Sequence, residues 1–329
     1  MSDVLSLHCQ HLSDDLSGLA LRRLPRAALA PGEVRIRVHA AGLNFPDLLM
    51  TRGLYQHKPS LPFVPGMEGA GVVIECGAAV ANVQSGQAVS FGARSGALAE
   101  EIVVPAASCR AMPAGLSFDE GASYAVTGLT AWVALQRCGR LQRGESLLVN
   151  GARGGVGWAC LQLGQHLGAR VVATASQPER LGFWTDQGVS VLAAGDATLA
   201  DQVKALTQGQ GVDVVADPVG GNLFDRSLRC LAWGGRLLVL GFAEGRLPTL
   251  AVNYALIKGL SIIGVRAGEY GRRYPERAPE NLAAVDHLAA AGVLRPHIGA
   301  RFALGDAAQA MAAMASGAVV GKIVVVVAR

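Results

Sequence analysis

Charge is scarce in this chain of 329 residues. Asp, Glu, Lys and Arg together make up 16% of it, 29 basic against 25 acidic, and the two signs are interspersed. No basic stripe is present, so nucleic acid is not an expected partner. Aromatic residues are also few, at 5%. No apolar run approaches the roughly 20 residues that span a bilayer. The opening MSDVLSLHCQHLSDD carries early acids and no apolar core segment, so neither a membrane span nor a secretory signal is expected. The six cysteines (Cys9, Cys76, Cys109, Cys138, Cys160, Cys230) include no Cys-x-x-Cys pair. Reduced, packed thiols in a cytoplasmic protein are the expectation. What the chain has in quantity is apolar residues, 51% of the whole, enough for two domains with a core each.

The most informative stretch runs from Ser146 to Ala175. It reads SLLVN, GARGGVG, WACLQLGQHLG, RVVATA: strand, glycine turn, helix, strand. Ala152, Gly154 and Gly157 hold the three positions of the Gly-x-Gly-x-x-Gly fingerprint, with alanine in place of the first glycine. Such a turn needs a sharp bend, close approach of the backbone to a pyrophosphate at Gly154, and tight helix–strand packing at Gly157. The helix is expected to start near Gly155 and Val156, so its free N–H groups and positive dipole end face the phosphates. A dinucleotide is therefore the expected ligand.

The end of the second strand bears on which dinucleotide. NAD sites place Asp or Glu there to hold the ribose hydroxyls. This chain reads Thr174, Ala175, Ser176, Gln177, Pro178, Glu179, Arg180. No carboxylate occupies the tip, and Glu179 after Pro178 suits a helix start better than a ribose contact. Ser176 and Arg180 can serve a 2′-phosphate, so the expected cofactor is NADPH.

From residue 124 the chain alternates strand and helix. Short apolar strands are expected at 146–150, 170–175, 189–193, 212–216, 236–240 and 261–266, with helices at 156–167, 178–187, 199–208, 221–231 and 252–258. Continuous apolar strands between helices indicate a parallel sheet covered on both faces. The first 120 residues lack that beat and alternate extended segments with Gly, Pro and Asn turns, as an antiparallel, barrel-like domain does. After about 267 come a loop with Arg272 and Arg273, helices near 279–291 and 306–315, and the β-forming GKIVVVV. That last strand needs partners, and the N-terminal barrel is the expected host. The expected division is 1–123 with 267–329, and 124–266 inserted between.

Four stretches carry a family likeness: GLNFPDLLMTRGLY (42–55), LPFVPGMEGAGVV (61–73), NGARGGVG (150–157) and GKIVVVV (321–327). With the DPVGG loop (217–221) and LAWGGRLLVLGFA (231–243), the chain resembles the zinc-free NADPH:quinone oxidoreductase branch of the medium-chain dehydrogenase/reductase superfamily. The resemblance implies an α/β chain with a GroES-like antiparallel, barrel-like catalytic domain, a six-stranded doubly wound Rossmann domain and an active site in the cleft between them. It also implies a homodimer joined through strand 261–266, which an apolar sheet edge invites on physical grounds.

Zinc-dependent members use Cys and His ligands where this chain has Asn44 and Gly66-Met67-Glu68, and the structural-zinc stretch, roughly 90–110, holds only Cys109. Asparagine and thioether are poor zinc ligands, so no metal is expected. By the same resemblance Asn44 polarises the acceptor, and Tyr55 stands where enoyl-thioester reductases carry a catalytic tyrosine. Asp47 is read as ordering its turn. The resemblance further implies that Thr127, at the start of the GLTAW helix, and Leu240, Gly241 and Phe242 approach the nicotinamide and its ribose, that Val265 and Arg266 close the cleft, and that Lys322 either reaches the cofactor or caps the surface. Gly195 and Leu49 stand where some quinone reductases carry tyrosines.

The function this supports is NADPH-dependent, metal-free reduction of quinones or related conjugated carbonyls. The alternative is an enoyl-thioester reductase of the acryloyl or crotonyl-CoA type, for which Arg272, Arg273 and Arg277 would have to grip coenzyme A phosphates. A non-catalytic NADPH sensor or RNA-binding protein is a third class, and the charge pattern speaks against RNA.

Overall fold

A computed structural model describes residues 3–328. The chain divides into two compact units: residues up to Val126 together with those from Arg295 onward, and Thr127–Leu294.

The first unit opens with an antiparallel pair, β1 (Val4–Cys9) and β2 (Leu19–Leu24). Strands β3 (Glu33–Gly42), β4 (Glu68–Cys76), β5 (Ala88–Gly92), β6 (Glu101–Pro105) and β7 (Cys109–Ala111) follow as an antiparallel set. In β3 the side chains of Val34, Ile36 and Val38 are fully buried. That period of two places them on the face of the pleat that meets the core with Leu98, Val89 and Phe91.

The second unit supplies β8 (Ser146–Val149), β9 (Arg170–Ala175), β10 (Ser190–Ala193), β11 (Val212–Asp217), β12 (Leu231–Val239) and β13 (Ser261–Gly264). Their spatial order is β10-β9-β8-β11-β12-β13, every pairing parallel. This is the doubly wound arrangement the alternating pattern predicts. Strand order reverses between β8 and β11, and ligands of such sheets lie at the carboxyl ends of the strands at that point.

The chain returns to the first unit with β14 (Ile298–Ala303) and β15 (Lys322–Val326). β15 pairs antiparallel with β3, Val324 opposite Gly42, so GKIVVVV does find its partners in the N-terminal sheet. The return falls at Arg295, later than the 267 read from sequence. The stretch after 267 is helical, Ala267–Arg273, where a loop was expected. The next helix, Arg277–Ala290, is held within the second unit: buried Asn281 accepts from Trp132 Nε1 at 3.1 Å and Arg137 Nε at 2.7 Å, and Glu280 pairs with Arg137. No local pattern in the sequence reports those distant partners.

Candidate active site

The glycine turn is built as the fingerprint demands, with one difference. The residue in left-handed backbone is Gly151, φ +61°, and not the fingerprint's first position, Ala152. Ala152 is buried and donates its N–H to Thr174 O at 3.0 Å, tying the turn to the end of β9. Gly154 is the N-cap of helix Gly155–His166, which begins where the sequence predicts. A Cβ on Gly157 would lie 2.4 Å from Gly151 O and 2.9 Å from Ala152 Cα, both backbone atoms, so only glycine allows this approach. A Cβ on Gly154 would meet only Gly151 O at 3.5 Å. Gly154 is exposed and Gly155 and Val156 half-buried, so the helix N-terminus is open to solvent on this side.

Beneath the turn lies a buried polar set at the strand ends. Asn150 Nδ2 donates to Asp217 Oδ1 at 3.1 Å and to Ser227 Oγ at 2.9 Å, and Thr174 Oγ1 donates to Asn150 Oδ1 at 3.0 Å. Asp217 Oδ1 also accepts the N–H groups of Val219 and Gly220 at 3.0 and 3.1 Å. These bonds join the ends of β8, β9 and β11 across the point where strand order reverses. Burial pushes the Asp217 carboxyl above the ordinary carboxylate range, against the pull of those hydrogen bonds. The loop of Leu240, Gly241 and Phe242 packs beside it, Leu240 N donating to Asp217 O at 2.9 Å and Ala243 N to Pro218 O at 3.2 Å. Val265 is buried and donates to Val239 O, Arg266 is exposed, and Thr127 is buried in helix Ala125–Trp132.

The end of β9 brings two guanidinium groups together. Arg153 Nη1 donates to Ser176 Oγ at 3.1 Å and to Gln177 Oε1 at 2.8 Å, and Arg180 Nη1 reaches the same Gln177 oxygen at 3.3 Å. Burial first, and then the neighbouring Arg180 charge, press the Arg153 pKa down, with Glu179 opposing. Ser176 and Arg180 are the two residues the sequence offers for a 2′-phosphate; Arg153 joins them here from a position the fingerprint leaves unspecified.

In the first unit a second constellation is fully enclosed. Asn44 precedes helix Phe45–Thr51, whose Asp47 carboxylate accepts Asn44 N–H at 2.8 Å and Gly66 N–H at 3.1 Å. Asp47 thus orders its turn, as read from the sequence. It is completely buried, and that burial raises its pKa to about 7. The Asn44 side chain points elsewhere: Nδ2 donates to Glu68 Oε1 at 2.9 Å and, more weakly, to Gly42 O at 3.3 Å. Lys322, at the start of β15, directs Nζ to Leu43 O at 2.7 Å, Asn44 Oδ1 at 2.8 Å and Glu68 Oε1 at 2.9 Å. Glu68 Oε2 accepts the N–H of Val126 at 3.0 Å. Lys322 therefore neither caps the surface nor stands alone. It is buried with its counter-ion. Tyr55 is half-buried against the Cys9, Met50 and Phe63 cluster, which also receives Met67, and its hydroxyl makes no hydrogen bond among the described residues.

Two family models match: residues 30–114 fit the alcohol dehydrogenase GroES-like domain and residues 155–286 the zinc-binding dehydrogenase domain. The quinone oxidoreductase-like protein 2 homolog of Nematostella vectensis is 35% identical over 303 residues, covering 90% of this chain and 82% of that one. This chain belongs to the quinone oxidoreductase-like branch of the medium-chain dehydrogenase/reductase superfamily. Among solved structures, a mycobacterial protein complexed with NADPH is similar at TM-score 0.86 and 29% identity, over 98% of this chain and 99% of that one. The CurK enoyl reductase is similar at TM-score 0.88 and 26% identity, with the same coverage.

Zinc, named by one matched model, does not fit the donors here. Asn44 Oδ1 and Glu68 Oε1 already bind the Lys322 ammonium, and Met67 offers only a thioether. No group of three or more His, Cys, Asp or Glu able to hold a metal occurs among the described residues.

Proposed function

We propose that this protein is an NADPH-dependent, zinc-independent reductase that delivers hydride to quinones or related conjugated carbonyls. The Asn44–Glu68–Lys322 constellation carries this reading: Asn44, read as holding a zinc-ligand position of the zinc-dependent members, has its amide bound instead to a buried ammonium. Hydride transfer puts negative charge on the acceptor oxygen, and an amide N–H donor in an enclosed, low-dielectric site stabilises that charge. Asn44 offers the N–H now held at 3.3 Å by Gly42 O, the weakest bond of the set. Bound NADPH supplies the hydride from its nicotinamide C4.

The cofactor has a matching frame in Ala152, Gly154, Gly155, Val156 and Gly157 for the pyrophosphate, and in Ser176, Arg153 and Arg180 for the 2′-phosphate. Thr127, Leu240, Gly241, Phe242, Val265 and Arg266 are assigned to the nicotinamide ribose side. The two guanidinium groups favour NADPH over NADH because only the former carries a 2′-phosphate to meet them.

Tyr55 supports a second reading. Its unengaged hydroxyl suits proton delivery to an enolate, the step that reduction of an enoyl thioester requires. The two readings separate when NADPH consumption is followed with 1,4-benzoquinone and with crotonyl-CoA. Turnover with the quinone alone supports the first. Turnover with crotonyl-CoA alone replaces it with the second, and Tyr55→Phe should then abolish most activity. Silence with both, despite NADPH binding, would remove the catalytic reading.

A homodimer is proposed through β13. Its outer edge is unpaired in the sheet, and Trp233, Val252 and Leu256 beside it are 78%, 79% and 81% exposed. A monomeric protein rarely leaves such side chains bare together, and a second copy pairing edge to edge would cover them. No helix among the described residues is long and apolar enough to cross a membrane. All six cysteines are unpaired, which suits a reducing, cytoplasmic compartment.

A further inference from the structure

We infer that Lys322 is a positioning and polarising residue for Asn44, in effect a covalently tethered cation that strengthens the amide's donor power. This deepens the reductase reading and rests on it.

Each of the three Nζ–H groups has one acceptor, Leu43 O, Asn44 Oδ1 and Glu68 Oε1, at 2.7–2.9 Å, and the side chain is 4% exposed. The ammonium rotor is thereby fixed, with no donor left over. Its second bond places a full positive charge 2.8 Å from the Asn44 carbonyl oxygen. A cation at that oxygen draws electron density out of the amide and makes its N–H groups stronger donors, an effect that low dielectric magnifies. Glu68 neutralises the ammonium, and its Oε1 also holds one Asn44 N–H at 2.9 Å. The amide plane is thus pinned at both ends. Its remaining N–H points to Gly42 O at 3.3 Å, from which an acceptor oxygen gaining charge can draw it. The first unit contains this whole chain of bonds, and Asn44, Glu68 and Lys322 lie 24 to 278 residues apart in sequence.

Removing Lys322 alone would strand the buried Glu68 carboxylate and threaten the fold, so the test pairs Lys322→Met with Glu68→Gln. Unfolding midpoint, NADPH affinity by fluorescence, turnover with the acceptor of the parent enzyme, and the Asn44 side-chain amide resonances in 15N-Asn-labelled protein are compared. The double variant is expected to keep its midpoint near that of the parent and to bind NADPH within about twofold. Its turnover should fall about tenfold or more, short of the 10²–10³ that losing an oxyanion donor outright costs, and its Asn44 amide protons should move upfield. Parental turnover in the stable double variant would overturn the proposal and leave Lys322 a structural counter-ion. So would unchanged Asn44 amide resonances. That second readout needs no catalysis, so a parent protein that reduces neither acceptor refutes the reductase reading while the polarisation is still decided.

Discussion

Arg153 and Arg180 are the clearest place to perturb the molecule. Their Nη1 atoms meet at Gln177 Oε1, at 2.8 and 3.3 Å, beside Ser176 Oγ. A hydrogen bond to a charged group contributes about 1.5–3 kcal/mol, and exposure at the Ser176–Arg180 tip screens it toward the lower end. With about 1.4 kcal/mol per factor of ten, each truncation to alanine should raise KM for NADPH about tenfold. KM for NADH should stay within about twofold, because NADH has no phosphate there. The two arginines share one oxygen, so the double variant should fall short of the hundredfold that independent sites would give. Steady-state kinetics with both cofactors, at two salt concentrations, reads all of this, and the NADPH preference should shrink as salt rises. Equal losses with NADPH and NADH would take the pair off the 2′-phosphate and assign it to holding the loop. An unchanged KM for NADPH would remove them from the site.

Other predictions follow from the packing and the charges. Gly157→Ala puts a methyl group 2.4 Å from Gly151 O and should weaken NADPH and NADH alike, in contrast to the arginine variants, as titration by fluorescence would show. Asp47, raised to about 7 by burial, holds a proton in the folded state that the unfolded chain releases near pH 4. Stability should therefore fall as pH rises from about 4 to 7 and level off above, by at most about 4 kcal/mol at 1.36 per pKa unit; urea midpoints of parent and Asp47→Asn protein that run parallel across this window would contradict it. Trp233→Glu and Leu256→Glu should convert a dimer to a monomer in light scattering with little change in folding, and a parent protein that is already monomeric would remove the β13 interface.

Much of the second unit was legible because its signals are local. Short, Val- and Leu-rich runs such as SLLV and VDVVA, set between glycines and helical stretches, read as buried strands, and the observed parallel order agrees with that alternation. The same holds for the glycine turn, where sterics act over six residues. Its details were less legible. The fingerprint points to Ala152 for the bend, whereas Gly151 carries the left-handed backbone, which a residue without a Cβ adopts freely. Arg153 reads as an arbitrary residue until β9 brings Ser176, 23 positions later, within 3.1 Å of it. The Lys322–Asn44–Glu68 cluster is less visible still. Lys322 reaches Asn44 and Glu68 only because β15 pairs with β3, and residues separated by 254 or more positions leave no periodic trace. The same absence of local signal explains why the return to the first unit reads as 267 when Asn281 and its partners carry it to Arg295.

Hydride transfer is proposed here to proceed without a metal, served by an amide and a buried ammonium. Its most direct test is turnover with NADPH and a quinone after exhaustive dialysis against a chelator, with metal content measured on the same sample. The prediction is undiminished turnover at a zinc content far below one per chain. Turnover that disappears with the chelator and returns with added zinc would contradict it.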